Sequence, residues 1–209
     1  MADQYPPDID RLRAIGYEFY AVPAGSVLWR VHSTSGAHVL PWNRIRTWGP
    51  VATSRWDPHP LPPGDCSPLG AAYLGEDVLT CLAEVFQTTR FVDVDRNAPY
   101  VTAFRTTREV KLADLRGLWL TRAGAAVQIA FQQKERTRAW ARSIHEAWPD
   151  LDGLIASSAV AGGRPVFTLW ADDPMPAAPE LSVPLNSPAI VDDIVAAVEE
   201  IGYRANVVL

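Results

Sequence analysis

Residues 71–84 read Ala71-Ala72-Tyr73-Leu74-Gly75-Glu76-Asp77-Val78-Leu79-Thr80-Cys81-Leu82-Ala83-Glu84, and their chemistry turns from strand to helix within a few positions. Leu69 to Leu74 is short and apolar enough for a buried strand, and Gly75 breaks it. Asp77 then supplies a carboxylate that can accept from the open N–H groups of a first helical turn. In the helix that follows, Val78, Leu82, Val85 and Phe86 share one face, while Thr80, Glu84 and Gln87 share the other. Glu84 is therefore expected to point away from the packed side, where a glutamate is ordinarily just solvated.

Upstream lies Ser54-Arg55-Trp56-Asp57-Pro58, separated from the Tyr73 strand by a turn-prone segment rich in proline and glycine. A cation, a phenol and a carboxylate thus arrive on neighbouring elements. The whole stretch from Gly36 to Gly70 is too long for a simple connector. Its tryptophans, Trp42, Trp48 and Trp56, either cover a ligand or plug a small core. Tyr17 to Val22 and Ser26 to His32 read as strands around the turn Pro23-Ala24-Gly25, and Arg30 shares a face with His32. Asp8 to Ile15 reads as a short helix stopped by Gly16.

Downstream, Phe91 to Val94, Tyr100 to Arg105 and Val110 to Leu112 have strand chemistry, and Leu115 to Leu120 is a weaker strand candidate. Helical composition runs over Ala123 to Trp148 and is stronger from Glu135, ending at Pro149. Gly153 to Ala156 and Val166 to Trp170 read as two strands, with Ser157 and Ser158 at the end of the first. A serine there is by default a turn former. The segment Asp172 to Pro188 carries five prolines and is expected to be extended. Ser187-Pro188 then signals a final helix with Ile190, Ile194, Val198 and Ile201 inward and Gly202 as its stop. Tyr203 to Leu209 is read as a last strand.

A chain of 209 residues with 48% hydrophobic and 21% charged residues suits one well-cored globular domain. A net charge of -5 disfavours binding nucleic acid through a broadly basic surface. Cys66 and Cys81 form no CxxC pair and no ligand spacing, so they are read as reduced thiols and no metal is expected. No apolar run reaches the roughly 18 residues of a membrane span. The N-terminus lacks the pattern of a secretory signal, so the expected location is the cytoplasm. GxSxG, GxGxxG and P-loop motifs are missing from the sequence.

Four stretches taken together, Leu28-Trp29-Arg30-Val31-His32, Ser54-Arg55-Trp56-Asp57, Tyr73 with Glu84 eleven residues later, and Asp152-Gly153-Leu154-Ile155-Ala156-Ser157-Ser158, resemble the RES domain family. The resemblance covers roughly residues 26–170. It implies an α+β fold: a single domain with a mixed, mostly antiparallel split β-sheet flanked by helices, like that of ADP-ribosyltransferases. Residues 1–25 are then an extension packed on a catalytic core of 26–170, and 171–209 complete the same domain.

Members of that family are typically NAD-degrading toxins of toxin–antitoxin pairs. The resemblance therefore implies NAD as substrate, cleaved at the nicotinamide ribosyl bond by transfer to water or phosphate. It makes Glu84, Arg55 and Tyr73 catalytic and Arg30, Arg55, Tyr73 and Ser158 the NAD-binding groups, with the family serine falling on Ser158 or Ser157. It also implies a cognate antitoxin with a helix-turn-helix domain, and self-association stays open. Transfer of ADP-ribose to a macromolecule, or nucleotide or partner binding without catalysis, are the alternatives on the same scaffold.

Overall fold

The computed structural model describes residues 5–126, 129, 131 and 133–207. The chain begins with α1 (Ile9–Ile15), capped by Asp8, whose side chain accepts from the Arg11 N–H at 2.8 Å. Then come β1 (Phe19–Val22), β2 (Val27–Ser33) and a long irregular passage that contains the two-residue strands β3 (Trp48–Gly49) and β4 (Gly64–Asp65). After β5 (Ala72–Gly75) and α2 (Val78–Val85) follow β6 (Phe91–Val92), β7 (Pro99–Arg105) and β8 (Val110–Asp114). The remainder is α3 (Trp119–Arg122), α4 (Lys134–Ala147), β9 (Gly153–Ser157), β10 (Pro165–Leu169), β11 (Leu181–Pro184), α5 (Val191–Ile201) and β12 (Arg204–Ala205).

Eight strands form one sheet in the order β1-β8-β9-β10-β5-β2-β7-β11. Within this sheet, among the described residues, only β8 and β9 run parallel and the other pairs are antiparallel, so the fold is the expected α+β domain on a mixed sheet. The sheet has a seam. On one side β10 pairs with β5 over four positions, and on the other β2 pairs with β7 over seven. Between the halves β2 and β5 share a single register position, Trp29 with Gly75.

Alternation along the strands sends side chains to two faces, and three apolar clusters result. Leu154, Ala156 and Val166 meet Leu12, the helical tryptophans Trp119 and Trp140, and Trp148 at the end of α4. The opposite face of the same half buries Ile155, Phe167 and Leu169 with Ile45 from the long loop. In the other half Val31 and Val101 lie under Leu79 and Leu82 of α2 and Ile194 and Val198 of α5.

Several local expectations are revised by the structure. Leu115 to Leu120 is no strand. Asp114 accepts from the backbone and guanidinium of Arg116, which turns the chain out of β8 and into α3. The strands β1 and β2 are consecutive but unpaired, since β1 pairs with β8 and β2 with β7. The final helix starts at Val191, because the Ser187 carbonyl and hydroxyl accept from Ile190 and Ala189 and close a turn instead. Within α2, Thr80 is buried and Val85 exposed, the reverse of a simple two-faced reading. The helix is covered by the sheet on one side and α5 on another, so its middle, Leu79 to Ala83, is buried and its two ends are less so. Residues 127, 128, 130 and 132 of the Ala123 to Trp148 expectation, and residues 208 and 209 of the last strand, lie outside the described residues.

Candidate active site

Where the pairing of β2 with β5 stops, a cavity of about 290 Å³ opens, lined by side chains from both halves of the sheet. Arg30 enters from β2, Tyr73 from β5, Glu84 from α2, Arg55 from the long loop and Lys134 from the first residue of α4. Four of the five residues read from the sequence therefore line one cavity. The fifth, Ser158, stands behind Glu84 and is almost completely buried, while its neighbour Ser157 lines the cavity.

Glu84 is fixed from behind. The Ser158 hydroxyl donates to Glu84 Oε1 at 2.6 Å and in turn accepts from the N–H groups of Ala161 (2.8 Å) and Val160 (3.2 Å). These two amides leave the hydroxyl proton only the carboxylate as partner. Gln87, one turn on, holds the same residue through its carbonyl at 2.7 Å. The Asp77 cap, accepting from Thr80 N at 2.7 Å, fixes the start of the helix, and Arg164 bonds to the other oxygen of Asp77. A hydrogen bond to a carboxylate is shorter and stronger than a neutral one, so Ser158 restricts both the position and the rotation of Glu84.

Tyr73 is anchored just as firmly. Its hydroxyl donates to Asp57 Oδ1 at 2.6 Å and accepts from Trp56 N at 3.2 Å. Asp57 is fully buried and also accepts from Arg46 Nη2 through both oxygens (2.7 and 2.8 Å) and from Val51 N at 2.8 Å. Burial and Asp57 push the Tyr73 phenol well above its usual range, so it remains a donor. The hydroxyl is thus spent on the scaffold, and the ring is what Tyr73 offers to the cavity. His59, whose ring is pushed toward the neutral form by burial, sits beside Asp57 and bonds to the Arg46 carbonyl at 3.2 Å. Gly49 is obligatory at this point, because a Cβ there would lie 2.4 Å from the His59 ring.

The cations differ in how they are held. Arg30 Nη1 donates to the carbonyls of Trp42 (2.5 Å) and Arg44 (2.8 Å), and burial pushes its guanidinium down to about 10, still charged at neutral pH. Burial also lowers Arg55, with Glu84 and Tyr73 pulling the other way. Lys134 is lowered by burial and by Arg55, and its ammonium donates to the Thr53 carbonyl at 2.5 Å. Arg138, one turn along α4, donates to the carbonyls of Ala52 and Ser54 at 3.1 Å each. The loop that carries Arg55 is therefore clamped by α4 on one side and by the Asp57 network on the other.

Lys134, Arg46 and Asp57 have functional or supporting positions that the sequence reading did not assign. Asp57 stood in the quoted Ser54–Asp57 stretch, so the signal was there, whereas nothing in the spacing linked Arg46 or Lys134 to it. Among the described residues no group of His, Cys, Asp or Glu could hold a metal ion, and no described helix is long and apolar enough to cross a membrane.

The family model for the RES domain matches residues 27–186. The chain belongs to the RES domain family. Comparison with curated protein sequences returned no match. Among solved structures, this RES domain is similar to a chain of the crystal structure of the M. tuberculosis MbcT–MbcA toxin–antitoxin complex, with a TM-score of 0.57. The two are 16% identical, and the match covers 90% of this chain and 96% of that one. Agreement at so low an identity is agreement of fold. The residues that line the cavity at the seam of this RES domain come from both halves of the sheet, from the long loop and from α2 and α4, all within the matched span.

Proposed function

We propose that this RES domain protein cleaves NAD at the bond between nicotinamide and ribose, passing the ADP-ribosyl group to water or phosphate. The observation that carries the reading is the Glu84 carboxylate, held by Ser158 at 2.6 Å and facing a cavity that also contains two guanidinium groups and a tyrosine ring. Nicotinamide departs as a neutral molecule from a cationic pyridinium, with the electron pair of the glycosidic bond, so its departure needs little acid assistance. The sugar carbon becomes electron-poor. A fixed carboxylate beneath it stabilises that developing charge, as in glycoside hydrolysis. Water then adds to the carbon and releases a proton to solvent, or phosphate adds in its place.

Arg30 and Arg55 suit the diphosphate, because planar guanidinium donors meet two oxygens at once. Lys134 adds a third cation to the same cavity. The Tyr73 ring attracts the pyridinium face while it is charged and holds neutral nicotinamide less well, which favours release. An activity of this kind, uncontrolled, stops growth. Membership of the RES family and the likeness to a chain from a toxin–antitoxin complex support a toxin role with an antitoxin that covers the seam.

The experiment is purified protein incubated with NAD, with and without phosphate, and nicotinamide followed by chromatography. Nicotinamide together with ADP-ribose or its phosphorylated form is the expected outcome. A folded protein that releases none under either condition refutes the proposal, and label from NAD found on a macromolecule redirects it to transfer.

A further inference from the structure

A second cavity, of about 340 Å³, lies against the first and shares two walls with it, Val31 and Val85. The first cavity takes Arg30 and Val31 from β2, the second Val31, His32 and Ser33; along the helix the first takes Glu84 and Val85, the second Val85, Phe86 and Thr89. The two follow one another along the same strand and the same helix. From Arg30 to Ser33 the extended chain advances roughly 10 Å. A diphosphate bridge with its flanking methylene groups has a comparable reach.

The chemistry of the second cavity differs from that of the first. Phe86 and Phe91 line it with partly buried aromatic residues, while the His32 ring turns to the other face of β2, where it bonds to Thr102 at 3.0 Å and is pushed down to about 4 by burial and by Arg30. Asp93 accepts from the backbone of Asp95 (3.2 Å) and Arg96 (3.0 Å) and from Asn206 (3.3 Å), and among the described residues all three bonds fall on Oδ1. Those donors hold its carboxyl below the usual range. Asp93 and Arg96 both line the cavity, and an ionised carboxylate is an acceptor suited to a vicinal diol.

We propose that this second cavity binds the purine nucleoside end of the dinucleotide, with the base against Phe86 and Phe91 and the ribose hydroxyls on Asp93. The inference rests on the reading of the first cavity as the nicotinamide ribose site, with the diphosphate on Arg30 and Arg55 and the nucleoside passing Val31 and Val85, which line both cavities. Stacking of a base on an aromatic side chain is worth about 1–3 kcal/mol, enough to set affinity without touching the reacting carbon.

The test uses AMP as a probe, titrated calorimetrically into the full-length protein and into Thr89→Trp, which fills the cavity from an exposed position, and Phe91→Ala. Saturable binding of AMP by the parent protein, weakened at least tenfold by Thr89→Trp, is expected. Alongside it, the ratio of kcat/KM for NAD to that for nicotinamide mononucleotide falls at least tenfold in Thr89→Trp. No AMP binding, or AMP binding equal in the parent and in folded Thr89→Trp, overturns the inference. A parent protein that cleaves neither dinucleotide nor mononucleotide sinks the proposed activity instead, and the AMP titration still decides the second cavity.

Discussion

Asp57→Asn is nearly isosteric, yet it is expected to be among the costliest single changes in the protein. Asp57 Oδ1 receives Tyr73 Oη and Arg46 Nη2, and Oδ2 receives Val51 N and Arg46 Nη2. An amide replaces one of those oxygens with an NH2 group. Turned one way it faces the Val51 N–H and the guanidinium; turned the other way it faces the guanidinium and the tyrosine. Arg46 cannot become an acceptor, so at least one donor is left opposed at a carboxyl position that has no exposure. Breaking a buried ion pair by removing one charge costs about 3–5 kcal/mol. Arg46 is 24% exposed and recovers some hydration, which places the expected loss near the lower end, about 3 kcal/mol. Urea unfolding followed by tryptophan fluorescence measures it as a lower midpoint at constant slope. Because Tyr73 and the Arg55 loop hang on this carboxylate, turnover should fall as well. A loss below about 1 kcal/mol refutes the reasoning, and the double change Asp57→Asn with Arg46→Met should cost less than the two singles added together.

Ser158→Ala removes the bond that aims Glu84, a hydrogen bond to a charged group worth roughly 1.5–3 kcal/mol. Initial rates of nicotinamide release should show kcat reduced about 10- to 100-fold, with KM changed less; a rise in KM alone would contradict the positioning role. Gly153→Ala places a Cβ 2.0 Å from the Thr168 carbonyl, within the β9–β10 pairing, at a φ of 156°. Neither backbone can yield, so a loss of about 4 kcal/mol or more is expected, read as failure to give a cooperative unfolding transition. The pH dependence follows from His32, held at about 4 against its ordinary 6.5 by burial, with His59 and His145 lowered in the same direction by the same cause. A histidine lowered in the folded state takes its proton first in the unfolded chain, so stability is full above pH 6.5 and is lost as pH falls toward 4. For His32 the full shift is worth at most about 3 kcal/mol, and roughly half of that after solvent screening of its partly exposed ring. Urea midpoints measured from pH 7 to 5 should decline; a flat profile contradicts the assignment.

The elements whose chemistry is local were legible in the sequence. Asp77 caps α2, Gly16 ends α1, and Gly202 ends α5 in a left-handed conformation, because capping depends on residues within one turn of each other. The grouping of Arg30, Arg55, Tyr73 and Glu84 came from the order of motifs in a resemblance, not from periodicity. What lay out of reach was set by distant partners. Thr80 is buried and Val85 exposed because of where α5 and the cavity lie, and no pattern within α2 contains that information. The turn into α3 depends on a side chain closing on its own neighbour, and the Trp119 indole that binds the Gly16 carbonyl at 2.6 Å crosses 103 positions to do so. The tryptophans of the long loop divide in the same way. Trp56 is buried in a core cluster and also borders the first cavity, Trp42 packs on Phe104, and Trp48 is 58% exposed. Composition alone does not sort them.

The most direct measurement is the turnover of NAD by Glu84→Gln beside the parent protein, with both shown to be folded. Replacing a preorganised negative group by a neutral one of the same shape removes about 3–4 kcal/mol of transition-state stabilisation. Nicotinamide release should drop by two to three orders of magnitude, at about 10²–10³-fold, while binding of NAD survives. Equal turnover by the two proteins would contradict the account, since the carboxylate at the seam would then have no part in the chemistry.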